Sequence, residues 1–219
     1  ISLSQAGTPQ ATLTHPSGGS CNVSVQEARV TSWQTRDGVE RLAAPGGLIP
    51  CNLELVSAEA WDIEQLINST AEGAVAFSLF AEGTIEEGAS WAARLMVSLF
   101  PERVTVELEV ANMTDEGVPG HAAPPQLQLS RCGIRGHCLT TSREIADGQM
   151  DVSKAPGKQD MLQSTGLKLL TTGFTSTDDV IPEEEGQHAP CEGFEALAPT
   201  PIILGPGETV TGSISLETT

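Results

Sequence analysis

The sequence predicts an all-β chain, a large antiparallel β-sandwich, and three observations point to it. Apolar residues fall at every second position in several short segments, the pattern of strands with one face on a core and the other in water. The 219 residues include 22 Gly and 14 Pro, which supply many turns and oppose long helices. No long stretch repeats apolar residues at the helical spacing of an amphipathic helix.

Taken in chain order, Cys21, Val23 and Val25 alternate after the turn-forming His15-Pro16-Ser17-Gly18-Gly19, and Val30 to Trp33 runs into Asp37-Gly38. Val75, Phe77 and Leu79 alternate ahead of Glu82-Gly83, which reads as the next turn. Ala93, Leu95, Val97 and Leu99 then alternate up to Phe100-Pro101-Glu102-Arg103. Beyond that link, Val104 to Val110 places Thr and Glu between apolar residues, so the two runs read as an antiparallel hairpin. At the end of the chain, Ile202 to Leu204, Gly205-Pro206-Gly207-Glu208 and the run with Val210, Ile214 and Leu216 repeat strand, turn and strand. About ten short strands are expected in all, in a single domain over residues 1–219. Polar loops are expected at about 140–163, which holds Ala155-Pro156-Gly157-Lys158, and at about 175–195, which holds Asp178-Asp179 and Glu183-Glu184-Glu185.

Charge narrows the partners. With 29 acidic and 11 basic side chains the formal net charge is −18, and no basic stripe is present to neutralise phosphates, so nucleic acid is disfavoured as a direct partner. An anionic membrane surface is disfavoured for the same reason, and no apolar run approaches the ~20 residues of a spanning helix. The chain begins at Ile1, and its start reads neither as a signal h-region nor as an Arg-rich transit peptide. Asn-x-Ser/Thr sequons stand at Asn22, Asn68 and Asn112.

Five cysteines, Cys21, Cys51, Cys132, Cys138 and Cys191, are odd in number and widely spaced, unlike a disulfide framework. Cys132 and Cys138, with His137 beside the second, form the tightest cluster. A structural zinc site needs four ligands in paired short spacings, so these are expected to be turn or core thiols, with no metal. Of the four histidines, His15, His121, His137 and His188, each alone reads as a surface-loop residue. No serine nucleophile elbow, zinc-binding helix motif, phosphate loop or dinucleotide fingerprint is present, and no cofactor is expected. The acidic run Glu183 to Glu185 lacks the interleaved ligands and glycine of a calcium loop and reads as solvated charge. Glu192, between Cys191 and Gly193, has a place from which a partly buried carboxylate can act as a general base.

Several segments, in order, carry a family resemblance. Thr12-Leu13-Thr14-His15-Pro16-Ser17-Gly18-Gly19-Ser20 and Ala28 through Gly38 resemble the opening of glucose-6-phosphate 1-epimerases, in the galactose mutarotase-like (aldose 1-epimerase) superfamily. Gly46-Gly47-Leu48-Ile49-Pro50 resembles the family's Gly-Gly-Ile-Pro turn, Phe100 to Asn112 its central strand, and Leu204 to Gly212 its closing Pro-Gly-Glu hairpin. The resemblance implies the family's large sandwich, and a reaction exchanging the anomers of an aldose or aldose phosphate, with a His as acid and a Glu as base.

Catalytic positions depart from that pattern. The acid His is replaced by Pro125, with His121 four residues earlier, and the phosphate-binding Arg by Pro45. The His-Gly-Phe-Ala-Arg segment is absent, the chain reading Glu54 to Trp61 instead. Glu192 matches the family's Cys-x-Glu base with a one-residue shift, and Trp33 stands where the family has a core residue. The resemblance therefore implies a catalytically degenerate protein acting as a structural or accessory subunit of a larger assembly. One known reuse of the fold, in the chloroplast NADH dehydrogenase-like complex on the thylakoid, sets the expected compartment as chloroplast, stromal or thylakoid-associated. The alternatives are a carbohydrate-binding module, or an active aldose or hexose-6-phosphate 1-epimerase with Glu192 as base and His121 or His137 as a replacement acid. Expected partners are accordingly other protein subunits, with a sugar or sugar phosphate as the alternative.

Overall fold

A computed structural model describes residues 1–4, 9–51, 61–85, 88–115, 125–139, 166–177, 191–199 and 202–218. Sixteen strands and no helix occur among them: β1 (Ser2–Ser4), β2 (Gln10–Thr14), β3 (Ser20–Ser24), β4 (Arg29–Gln34), β5 (Leu42–Cys51), β6 (Asp62–Ile67), β7 (Val75–Thr84) and β8 (Ser90–Leu99), then β9 (Arg103–Asn112), β10 (Leu127–Leu129), β11 (Gly133–Leu139), β12 (Leu167–Thr172), β13 (Thr175–Thr177), β14 (Cys191–Leu197), β15 (Ile202–Leu204) and β16 (Thr209–Thr218). They form an eight-stranded sheet ordered β1-β2-β3-β4-β5-β11-β14-β13, a six-stranded sheet ordered β12-β16-β9-β8-β7-β6, and the pair β10-β15. Every pairing is antiparallel. The all-β sandwich is the architecture the alternation predicts, with more strands than the ten expected.

The expected hairpin is β8 and β9, running from Leu99↔Val104 to Trp91↔Asn112, closed by the Phe100 N–H on the Arg103 carbonyl at 2.8 Å. Its inward residues Leu95, Val97, Val106 and Leu108 are fully buried in one core with Leu13, Val23, Trp33 and Ile134 of the eight-stranded sheet. Period-two alternation is what burial of one sheet face writes into a sequence.

Four expectations about turns and loops are corrected. Glu82-Gly83 is not a turn: β7 runs through it to Thr84, and the bond that closes the end of the strand, from the Ile85 N–H to the Ala89 carbonyl, lies beyond it. Gly83 stays in the ladder because the Trp91 indole lies across it, and a Cβ there would sit 2.9 Å from the ring. Gly46 to Pro50 is likewise strand, carrying a bulge at which the register with β11 jumps from Gly47 to Leu42. Gly47 has φ +77° and a Cβ would fall 2.1 Å from the Val30 carbonyl oxygen, so no other residue fits that bulge. The closing Pro-Gly-Glu segment does not join hairpin partners, since β15 pairs with β10 and β16 with β9 and β12. Finally, the stretch expected as a loop at 175–195 begins in β13 and ends in β14; Asp178-Asp179, Glu183–Glu185 and the expected loop 140–163 lie outside the described residues.

Buried polar groups fix the junctions. Asn112 is fully buried where β9 ends; its amide Nδ2 donates to the carbonyls of Leu204 (2.9 Å) and Pro125 (3.2 Å), and its Oδ1 accepts from the Thr114 N–H. Its backbone bonds Glu208 and Gly207. Glu40 plays a similar part beside β5: its Oε1 accepts from the N–H groups of Trp33, Arg41 and Leu42. His15, expected at the surface, is buried: Nε2 donates to the Gly73 carbonyl at 2.9 Å, while Nδ1 accepts from the Ser17 N–H, which ties the β2–β3 turn to the β6–β7 turn.

Removing the Asn112 side chain in Asn112→Ala strands two buried carbonyls and one N–H, so a loss of about 2–4 kcal/mol is expected in urea denaturation; an unchanged midpoint would show that water replaces the amide. Burial, and next the Glu40 carboxylate, push the Cys21 thiol far up. Cys21 is therefore expected to resist iodoacetamide in the folded protein and to react after denaturation, as peptide mass mapping reads directly.

Candidate functional site

The residues nominated from sequence reach different places. His121 and His188 lie outside the described residues. Glu192 is in β14, opposite Cys138 of β11. Pro125 is buried, and its carbonyl is held by Asn112; a proline at this position has no proton to give. Pro45 lies in β5, at the bulge.

Cys138 is fully buried and His137 half-buried, as befits strand neighbours that point to opposite faces, so the Cys132–His137–Cys138 cluster does not converge on one point. Cys132 and Cys138 belong to the core, as expected. Trp33, Trp61 and Trp91 are all buried, so none of the three indoles offers a stacking platform for a sugar. Asn112, with its amide fully engaged, is a structural residue within its sequon.

Strand register assembles a group that spacing along the chain does not reveal. On the outward face of β5, β11 and β14, His137 is paired with Gly47 on one side and Gly193 on the other. The imidazole is thus flanked by two positions without side chains, and Gly46 packs against it so closely that a Cβ would come within 2.8 Å of Nδ1. The next row is Ile49, Arg135 and Glu195. Glu195 is mostly buried and ion-paired to Arg131. Arg135 carries a buried Nε–H with no acceptor among the described residues. His137 and Glu195 are diagonal neighbours, a relation that sets two residues about 7–8 Å apart on one face, their Cβ atoms somewhat closer.

The arrangement combines a titratable imidazole, a carboxylate held by a guanidinium, and a second guanidinium, on a shelf kept open by glycines. Such a set can transfer protons at two points of a small polar ligand. Glu195 is inconspicuous in the sequence because it follows the Cys191-Glu192 pair; the signal that marks it is the alternation of Phe194 and Ala196, both buried, around it.

No protein-family profile matches the chain, and no curated protein matches it. Solved structures do. A galactose mutarotase-like protein from Clostridium acetobutylicum is 9% identical with TM-score 0.65, covering 100% of this chain and 98% of that one. A galactose mutarotase-like protein from Lactobacillus casei is 12% identical with TM-score 0.59, covering 96% and 100%. The GalM/aldose epimerase homologue from C. elegans is 8% identical with TM-score 0.55, covering 100% and 99%.

Gly46→Ala is expected to displace the imidazole. The His137 ring signals in a two-dimensional 13C–1H spectrum should shift while those of His15 stay in place; unchanged His137 signals would mean that the strand, not the ring, absorbs the added methyl.

Proposed function

We propose that this chain, which has the galactose mutarotase-like fold, is a catalytically degenerate form of it that serves as an accessory subunit of a larger protein assembly. The observation that carries the reading is Pro125. The position that the sequence resemblance assigns to the acid His is filled by a buried residue with no N–H, whose carbonyl is spent on Asn112. The Arg of the sugar-phosphate enzymes is replaced by Pro45. A net charge of −18 further opposes capture of a phosphorylated sugar. A sandwich kept intact around a lost acid is what an assembly role tolerates, since partners need a surface rather than a proton donor. The proposed compartment is the chloroplast, stromal or thylakoid-associated, in an assembly of the NADH dehydrogenase-like type; its support is the sequence resemblance.

A second reading is favoured by the row Gly47–His137–Gly193 with Glu195 diagonal to it. There the chain binds an aldose and exchanges its anomers, His137 protonating the ring oxygen and Glu195, on the same face of the sheet, taking the anomeric hydroxyl proton.

Anomer-exchange NMR of glucose, galactose and glucose 6-phosphate separates the two. The accessory reading expects the folded chain to leave exchange at its spontaneous rate, and the native protein to migrate in native gels far above the mass of a 219-residue chain. Acceleration that falls at least about tenfold in His137→Asn and in Glu195→Gln, a loss of general acid–base catalysis, would overturn it in favour of the second; loss in Glu192→Gln alone would place the base there.

A further inference from the structure

The opposite outer face of the sandwich carries a groove of about 460 Å³ on β7, β8 and β9, away from the His137 shelf. Its form follows from side-chain size. Glu82, Ala92 and Ala111 make one cross-strand row, and Phe80, Arg94 and Glu109 the next. The two alanines leave a depression between that larger second row and Met113, which is 59% exposed.

Its electrostatics are one-sided. Arg94 gives Nε and Nη2 to the two oxygens of Glu64 at 2.8 and 2.7 Å, and Nη1 to Glu109 at 3.3 Å. The Arg94 guanidinium, helped by the Ser78 hydroxyl, holds the Glu64 carboxyl below the usual range, so this pair is ionised on both sides at neutral pH. Arg94 is shared between Glu64 and Glu109, so the three carboxylates Glu64, Glu82 and Glu109 outweigh its one positive charge and leave the groove net negative, in a chain of net −18. An apolar floor under an acidic rim is complementary to a cation carried beside an apolar side chain.

We propose that this groove docks a basic, apolar-flanked segment of a partner polypeptide, with a Lys or Arg on Glu82 and Glu109 and the neighbouring apolar side chain over Phe80, Ala92 and Ala111. The proposal rests on the accessory-subunit reading and names the chemistry of the partner.

The test uses the full chain and a fluorescein-labelled peptide of Arg, Leu and Gly, read by anisotropy at fixed ionic strength. Saturable binding is expected, weakened about tenfold or more by Glu82→Lys and several-fold by Glu109→Gln, as for an ion pair at a docking site. Glu72→Lys, a reversal at an exposed turn position off the groove, should change it less than about twofold, as for a charge outside the contact. Ala111→Met, which fills the groove without altering charge, should weaken binding as well. Equal losses in Glu82→Lys and Glu72→Lys would reduce the effect to net charge and overturn the proposal, as would absence of saturation. Native gels keep the two readings apart: a large assembly that survives Glu82→Lys refutes the groove alone, whereas a chain that migrates alone yet binds the peptide groove-specifically refutes the accessory reading alone.

Discussion

The fold turns on the buried amide of Asn112. It stands at the end of β9, the strand through which β8 and β16 are joined, and one side chain there meets carbonyls from the approach to β10 and from the end of β15. Those two short strands pair only with each other among the described residues, so their place beside the six-stranded sheet is set at this point rather than by a shared ladder. A side chain offering two donors and one acceptor in a fixed plane fits the task; a carboxylate lacks the donors, and an apolar residue would strand the carbonyls in a buried region.

What the sequence discloses follows from where one-sided burial occurs. The β8–β9 hairpin is legible because a wet face and a dry face alternate along most of both strands. Strand β6 leaves no such trace: Asp62 to Leu66 are all exposed, including Ile63 and Leu66, so no alternation marks it. Turn residues mislead in a specific way. Glu82-Gly83, and Gly46-Gly47 with Pro50, are read as chain reversals, yet here the glycines make room for a ring or a bulge within continuous strands. The site shows the same limit. Glu192 is conspicuous by its neighbours in sequence, whereas His137 and Glu195 are far apart along the chain and meet only through the pairing of β11 with β14. Register is a long-range property, and a short window of sequence does not encode it.

The two outer faces of the sandwich are built on different chemical plans. On the eight-stranded sheet, basic and titratable groups lie beside glycines, a shelf suited to a small polar molecule. On the six-stranded sheet, alanines lie beneath carboxylates, a groove suited to a cation with an apolar neighbour. The close-packed core between them is filled by inward-facing residues, so an exchange of outward-facing side chains on one face leaves its volume unchanged. The fold can therefore lose chemistry on one side and retain recognition on the other.

The rings that lie across strand glycines have a consequence for how this chain tolerates change. The indole of Trp91 covers Gly83, the phenyl ring of Phe194 covers Gly136, and that of Phe174 covers Gly212, each so closely that a Cβ would sit within 3 Å of a ring atom. With 3 Trp, 5 Phe and no Tyr in the whole chain, a large share of its aromatic side chains is committed to this duty. Each glycine and its ring behave as one inherited unit: a methyl added to the first demands a smaller second, and a smaller second leaves a hole that only a methyl on the first begins to fill. Drift at these positions is thus expected to proceed in pairs.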